Sequence, residues 1–181
     1  GDSSTTGSYN IAIGWNALKI GFGSSLTHNV AIGSSALLKA SNVSGLVAVG
    51  YEALRNNTTG VGNTALGEQS MLGNTTGDSN TAVGKFSLYA NTIGRGNTAG
   101  GAQSLFSNTT GSYNSAFGYM NLSSTTVGSY NTAMGYENMS LNVSGNLNTS
   151  VGYGALYSNN SSSNTAIGAY ALRNNSSGSK N

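Results

Sequence analysis

A nine-residue unit, Asn131-Thr132-Ala133-Met134-Gly135-Tyr136-Glu137-Asn138-Met139, returns in close copies along almost the whole chain. Its glycine recurs as Gly14, Gly33, Gly50, Gly67, Gly84, Gly101, Gly118, Gly135, Gly152 and Gly168. By subtraction, seven of those steps are 17 residues; the first is 19 and the last is 16. A fixed period of this length marks a stack of identical supersecondary units, and it constrains the fold more than any local propensity.

Numbered from the asparagine, copies begin at Asn10, Asn29, Leu46, Asn63, Asn80, Asn97, Asn114, Asn131, Asn148 and Asn164. Position 3 is alanine in nine copies and Ser150 in the other, position 5 is the glycine, and position 9 is always leucine or methionine. Position 4 is Ile13, Ile32, Val49, Leu66, Val83, Gly100, Phe117, Met134, Val151 and Ile167. The second half of each copy is polar, as in Asn74-Thr75-Thr76-Gly77-Asp78-Ser79. Thr5-Thr6-Gly7-Ser8-Tyr9 reads as the tail of a preceding copy, and Asn181 falls where an eleventh would begin. The expectation is one continuous array over 1–181, a window of a longer array or a subunit whose ends complete a neighbour's copy.

Seventeen residues are too few for a helix pair, and a glycine in every copy with abundant Thr, Val and Ile disfavours helix. The Asn-Thr-Ala-Val-Gly segment alternates with period two, which puts Ala and Gly on one face and Thr and Val on the other. The reading is an all-β, single-domain β-solenoid, a β-roll of about ten coils stacked about 4.8 Å apart into a rod about 50 Å long. A second short strand is expected to carry the position-9 leucine, and the polar half to supply turns. Small residues at positions 3 and 5 imply a narrow interior. The position-4 side chains point outward, and a continuous apolar stripe on a rod's outside is not expected to face water. Ile13, Ile32, Val49, Leu66, Val83, Phe117, Met134, Val151 and Ile167 are therefore the expected self-association contacts.

Only 7% of residues are charged, the net charge is +2 and the seven cations are scattered singly. That excludes the basic footprint of a nucleic-acid binder. No apolar run is long enough for a membrane helix. Cysteine is absent, which excludes a disulfide scaffold and thiolate metal sites. No cofactor is expected.

The run Asn29-Val30-Ala31-Ile32-Gly33-Ser34-Ser35-Ala36 resembles the head repeat of the YadA-like trimeric autotransporter adhesins, a left-handed β-roll. Asn164-Thr165-Ala166-Ile167-Gly168-Ala169-Tyr170-Ala171-Leu172 also resembles repeats of bacteriophage tail fibres and other extracellular fibres. The resemblance implies an extracellular, cell-surface or virion-surface protein, a homotrimer or filament, and adhesion to a host-surface carbohydrate. The adhesin repeat is shorter than 17 residues; this chain adds an Asn-Thr-Thr-Gly-like turn.

That turn carries Asn57, Asn74, Asn108, Asn142, Asn159 and Asn175 in one column, each opening an Asn-X-Ser/Thr sequon, and Asn42 and Asn121 open sequons in other copies. Two readings compete: N-glycan acceptors of a secreted chain, or stacked asparagine ladders that stabilise a β-stack without sugar. Aromatic rows also have two readings. Trp15, Tyr51, Tyr119, Tyr136 and Tyr153 at position 6, and Tyr9, Tyr113 and Tyr130 at position 17, either pack on one another or hold sugar rings.

Catalysis finds no constellation. The acids are Asp2, Glu52, Glu68, Asp78 and Glu137; Glu52 and Glu137 share position 7 but lie five coils apart, beyond the roughly 5–10 Å that paired carboxylates need. His28 is single. The expectation is therefore no enzyme but a self-assembling extracellular fibre, N-glycosylated in one version. A receptor-binding adhesin or tail-fibre segment is the alternative. The Thr64, Thr81, Thr98, Thr132, Thr149 and Thr165 column makes an ice-binding solenoid a third reading.

Overall fold

Each copy's Thr-Ala-Val-like segment forms a strand, three residues long in eight copies and five in two, paired with the same residues of the next copy. The structure, a computed structural model, describes residues 7–19 and 25–181; Asp2 and the Thr5-Thr6 tail lie outside them. Ten strands follow in chain order: β1 (Ile11–Ile13), β2 (Val30–Ile32), β3 (Val47–Val49), β4 (Thr64–Leu66), β5 (Thr81–Val83), β6 (Thr98–Gly100), β7 (Ser115–Phe117), β8 (Thr132–Tyr136), β9 (Thr149–Tyr153) and β10 (Thr165–Ile167). They form one parallel sheet in the order β1 to β10. The register never slips: Ala65 faces Ala82, Ala82 faces Ala99 and Ala116 faces Ala133. Each copy is thus one coil of a β-solenoid, as the 17-residue period requires.

Inter-coil hydrogen bonding does not stop where the strands do. In the turns, Phe86 N donates to Glu68 O of the coil before, Leu88 N to Ser104 O of the coil after, and Gly96 N to Asp78 O of the coil before. Backbone groups that an ordinary turn would leave to water are paired with the same turn of a neighbour. This is how a chain that is half polar turn makes a continuous stack.

The interior is narrow and mixed. Alanine at position 3 is fully buried from Ala31 to Ala133, and the position-9 column from Leu37 to Leu156 is fully buried beside it. Each leucine contributes about 1.5–3 kcal/mol of burial. Among the described residues the expected second strand does not form. Leu88 and its equivalents turn through the left-handed region, at φ +49 for Leu88, where an L-residue pays about 1–2 kcal/mol. The hydrogen bond from Leu88 N to Ser104 O of the following coil and the burial of the side chain outweigh that strain. The leucine reaches the core from a corner, not from a strand.

Asparagine fills the rest of the interior. Asn63, Asn80, Asn97, Asn114, Asn131, Asn148 and Asn164 at position 1 are fully buried. Asn97 is typical: its Nδ2 donates to Asn80 Oδ1 at 3.1 Å and to Gly111 O at 2.9 Å. Its Oδ1 in turn accepts from Asn114 N at 3.0 Å and Asn114 Nδ2 at 3.2 Å. The ladder changes at Leu46, and it does so in concert with its surroundings. Where position 1 is Leu46, the nearby interior residues are Leu26, Ala40 and Val43, all buried, so an apolar plug replaces the polar one.

Candidate functional site

Two surfaces and one internal column carry the residues singled out by sequence. The position-4 side chains face outward, as strand alternation requires. Ile13, Leu66, Val83, Phe117, Met134 and Ile167 are exposed, while Ile32, Val49 and Val151 are half-buried. A broad coil burying both strand faces is excluded by this exposure. The column has one vacancy, at Gly100, and the Phe117 ring of the next coil covers it: a Cβ added there would lie 2.8 Å from Phe117 Cδ1. The apolar stripe is therefore continuous from β1 to β10.

Positions 2 and 6 flank the stripe. At position 2, Thr64, Thr81, Thr98, Ser115, Thr132, Thr149 and Thr165 align across seven strands, Ser115 filling the gap in the threonine column. At positions 2, 4 and 6 the only charged residues are Glu68 and Lys85, and they pair at 3.0 Å. A surface so depleted of charge has the composition of an interface core.

At position 6, Tyr119 and Tyr136 stack at 5.3 Å with a 27° interplanar angle, and Tyr136 and Tyr153 at 5.1 Å and 10°. Tyr113 and Tyr130 stack likewise at position 17, 5.1 Å apart, and Tyr9 lies on His28 at 5.0 Å. The ring faces are turned on one another along the rod, leaving edges and hydroxyls outward. Packing uses the faces that a sugar ring would need. Glu137 beside Tyr136 raises that phenol above its ordinary value, and the hydrogen bond with Tyr170 raises Tyr153, so both stay neutral well into alkaline solution.

The internal column is the sequon column, and here one expectation is corrected. Asn57, Asn74, Asn108, Asn142 and Asn159 are buried, not displayed. Asn74 Nδ2 donates to Asn57 Oδ1 at 2.6 Å and to Gly77 O at 3.0 Å, and Asn108 Nδ2 to Asn91 Oδ1 and Gly111 O. Asn175 is half-buried with its Nδ2 bonded to Asn159 Oδ1 and Gly178 O. Asn121 is fully buried with its Nδ2 on Phe117 O and Gly135 O. The atom that would carry a glycan is hydrogen-bonded inside the array, within its own coil at Asn57, Asn142 and Asn159 and also to a neighbouring coil at Asn74, Asn108, Asn121 and Asn175, so the folded array has no room for sugar at these seven. Asn42 differs: it is exposed, and among the described residues its Oδ1 is engaged by Ser25 N at 2.9 Å. The ladder reading of the column holds, and Asn91, which opens no sequon, is a full member of it.

A signal in the sequence could have found this. Asparagine at position 12 is paired with glycine at position 15 because a Cβ on Gly60 would lie 2.7 Å from Asn57 Oδ1. Where position 12 is Ala40, position 15 is Val43. Residues that trade volume face each other across an interior.

The ladder is interrupted at Thr125. Thr125 replaces asparagine at position 12, and Asn108 Oδ1 is buried with no partner; the threonine hydroxyl bonds Asn142 O instead, at 2.7 Å. Restoring the rung with T125N is expected to stabilise the fold by about 1 kcal/mol, because a buried acceptor gains its donor. The check is a higher urea midpoint with an unchanged denaturant slope.

The ionisable groups do not converge. Glu52 is engaged by Gln69 Nε2 at 2.7 Å and Arg55 at 3.5 Å, and Asp78 by Arg95 at 3.7 Å. No group of three metal-ligating side chains occurs among the described residues, and none of their helices is long and apolar enough to cross a membrane. No protein-family model, no curated protein and no solved structure matches this chain.

Proposed function

We propose that the protein is a structural fibre element that acts outside the cell and assembles through lateral contact between copies of its own outer sheet face. The observation that carries this reading is the continuous, outward apolar stripe on a face whose only charges neutralise each other. Ten strands at about 4.8 Å and four residue steps at about 3.3 Å give that face roughly 600 Å². This is at the upper end of what a monomer leaves exposed, and close to the ~800 Å² per partner of a stable interface. A second copy of the same face has an equal repeat, and its two charges, Glu68 and Lys85, already pair with each other, so it fits without unpaired charge. Interior ladders that bond every coil to the next support a rod-like role. The tyrosine faces, consumed by stacking, favour a structural use of those rings over the holding of sugars.

The test is the assembly state of the full chain by light scattering and negative-stain imaging. Assemblies or filaments of the native chain are expected. A V83K/M134K pair, placed at exposed positions of the stripe, is expected to yield monomers with an unchanged circular dichroism spectrum and less than about 1 kcal/mol of lost stability, as surface changes do. A native chain that stays monomeric at high concentration would overturn the proposal.

A further inference from the structure

The buried column leaves open which sequons a glycosylating enzyme could use, and the geometry selects among them. Beyond the buried ones, sequons begin at Asn42, Asn56, Asn160 and Asn174. Asn56 is half-buried; Asn42, Asn160 and Asn174 are exposed. Asn160 repeats the arrangement of Asn42. Its Oδ1 accepts from Val143 N at 2.7 Å and Ser144 N at 3.3 Å of the preceding coil, so the carbonyl is anchored and the amide nitrogen is turned to solvent. Asn174 is the first residue of an Asn-Asn-Ser run in the last turn, beside the inward-bonded Asn175.

We infer that Asn42, Asn160 and Asn174 are the N-glycan acceptor sites of the folded rod, and that their neighbours in the sequon column are not. The reaction joins the Asn Nδ2 to the anomeric carbon of an oligosaccharide carried on a polyprenyl pyrophosphate. The N–C bond forms as the C–O bond to phosphate breaks, the amide loses one proton, and the polyprenyl pyrophosphate leaves. All three residues occupy positions 11 to 14 of their coils, clear of positions 2, 4 and 6, so sugar there leaves the sheet face free. They would supply hydration that a chain with 7% charged residues lacks. The inference takes its setting from the extracellular reading above, but its test does not depend on where the chain resides.

Folded, purified protein is incubated with an oligosaccharyltransferase and its lipid-linked donor, then followed by intact mass against the bare 18.2 kDa and by peptide mapping. Up to three added glycans are expected, one lost in each of S44A, N160Q and S176A and none remaining in the triple variant. Asn57, Asn74, Asn108 and Asn142 are expected to become acceptors only when the same chain is presented unfolded in urea-treated or peptide form. Glycans on those column residues of the folded rod, or no glycan at the three exposed sites, would overturn the inference. Either result leaves the assembly proposal standing, since that is read from scattering.

Discussion

N97A is expected to destabilise the fold by about 4 kcal/mol. Asn97 is fully buried, and its side chain makes four hydrogen bonds, two as donor and two as acceptor. Alanine removes the donor from Gly111 O and the acceptor from Asn114 N. Each buried group so stranded costs about 1–3 kcal/mol, and two or more are stranded at once. The outward neighbour gives the contrast: T98A is expected to cost less than about 0.5–1 kcal/mol, because its side chain faces solvent. Urea titrations of the two variants side by side check the difference. Leu46 shows why the loss at Asn97 is not a matter of volume alone. An apolar residue is accommodated in this column where Leu26, Ala40 and Val43 line the same interior, and Asn97 has no such surroundings.

G84A is expected to destabilise the fold by about 2–6 kcal/mol. Gly84 has φ +131, a conformation that a side chain strains by about 1–3 kcal/mol. The added Cβ would also lie 2.7 Å from Gly101 C and 2.8 Å from Gly101 O. The two coils cannot part to admit it, since Gly84 N bonds Leu66 O at 2.8 Å and Gly101 N bonds Val83 O at 2.7 Å. Overpacking therefore adds a further ~1–3 kcal/mol. G45N separates strain from crowding: Gly45 has φ +69 and nothing within 4 Å of its would-be Cβ. Asparagine tolerates that region, and a loss under about 1 kcal/mol is expected. Thermal unfolding by circular dichroism reads both.

Much of this architecture is legible in the residues because a period-two strand and a fixed 17-residue step are properties of the chain itself. The Thr-Ala-Val strands, the small inner position 3 and the outward position 4 follow directly. The asparagines do not. Local chemistry places Asn in turns and at surfaces, and a sequon reinforces that reading. Their burial depends on each side chain meeting its own copy seventeen residues away, with matched donors and acceptors, a relation that exists only once the coils are stacked. The position-9 leucine misleads for a related reason. Its left-handed backbone is unfavourable in isolation and is held by a hydrogen bond to the following coil. The exposed acceptors Asn160 and Asn174 were hidden by adjacency: each stands next to a column asparagine, Asn159 and Asn175, that draws the same motif inward.

Buried asparagine side chains tie the coils together through the interior. Hydrogen exchange of the side-chain amides, followed by NMR on the assigned chain or on V83K/M134K if assemblies are too large, tests this most directly. The Nδ2 protons of Asn80, Asn97, Asn114 and Asn131 are expected to exchange as slowly as the strand amides of β5 to β8, while those of Asn160 and Asn174 exchange at the rate of free solvent-exposed amides. Fast exchange at Asn97 and its column neighbours, with the strand amides still protected, would contradict it.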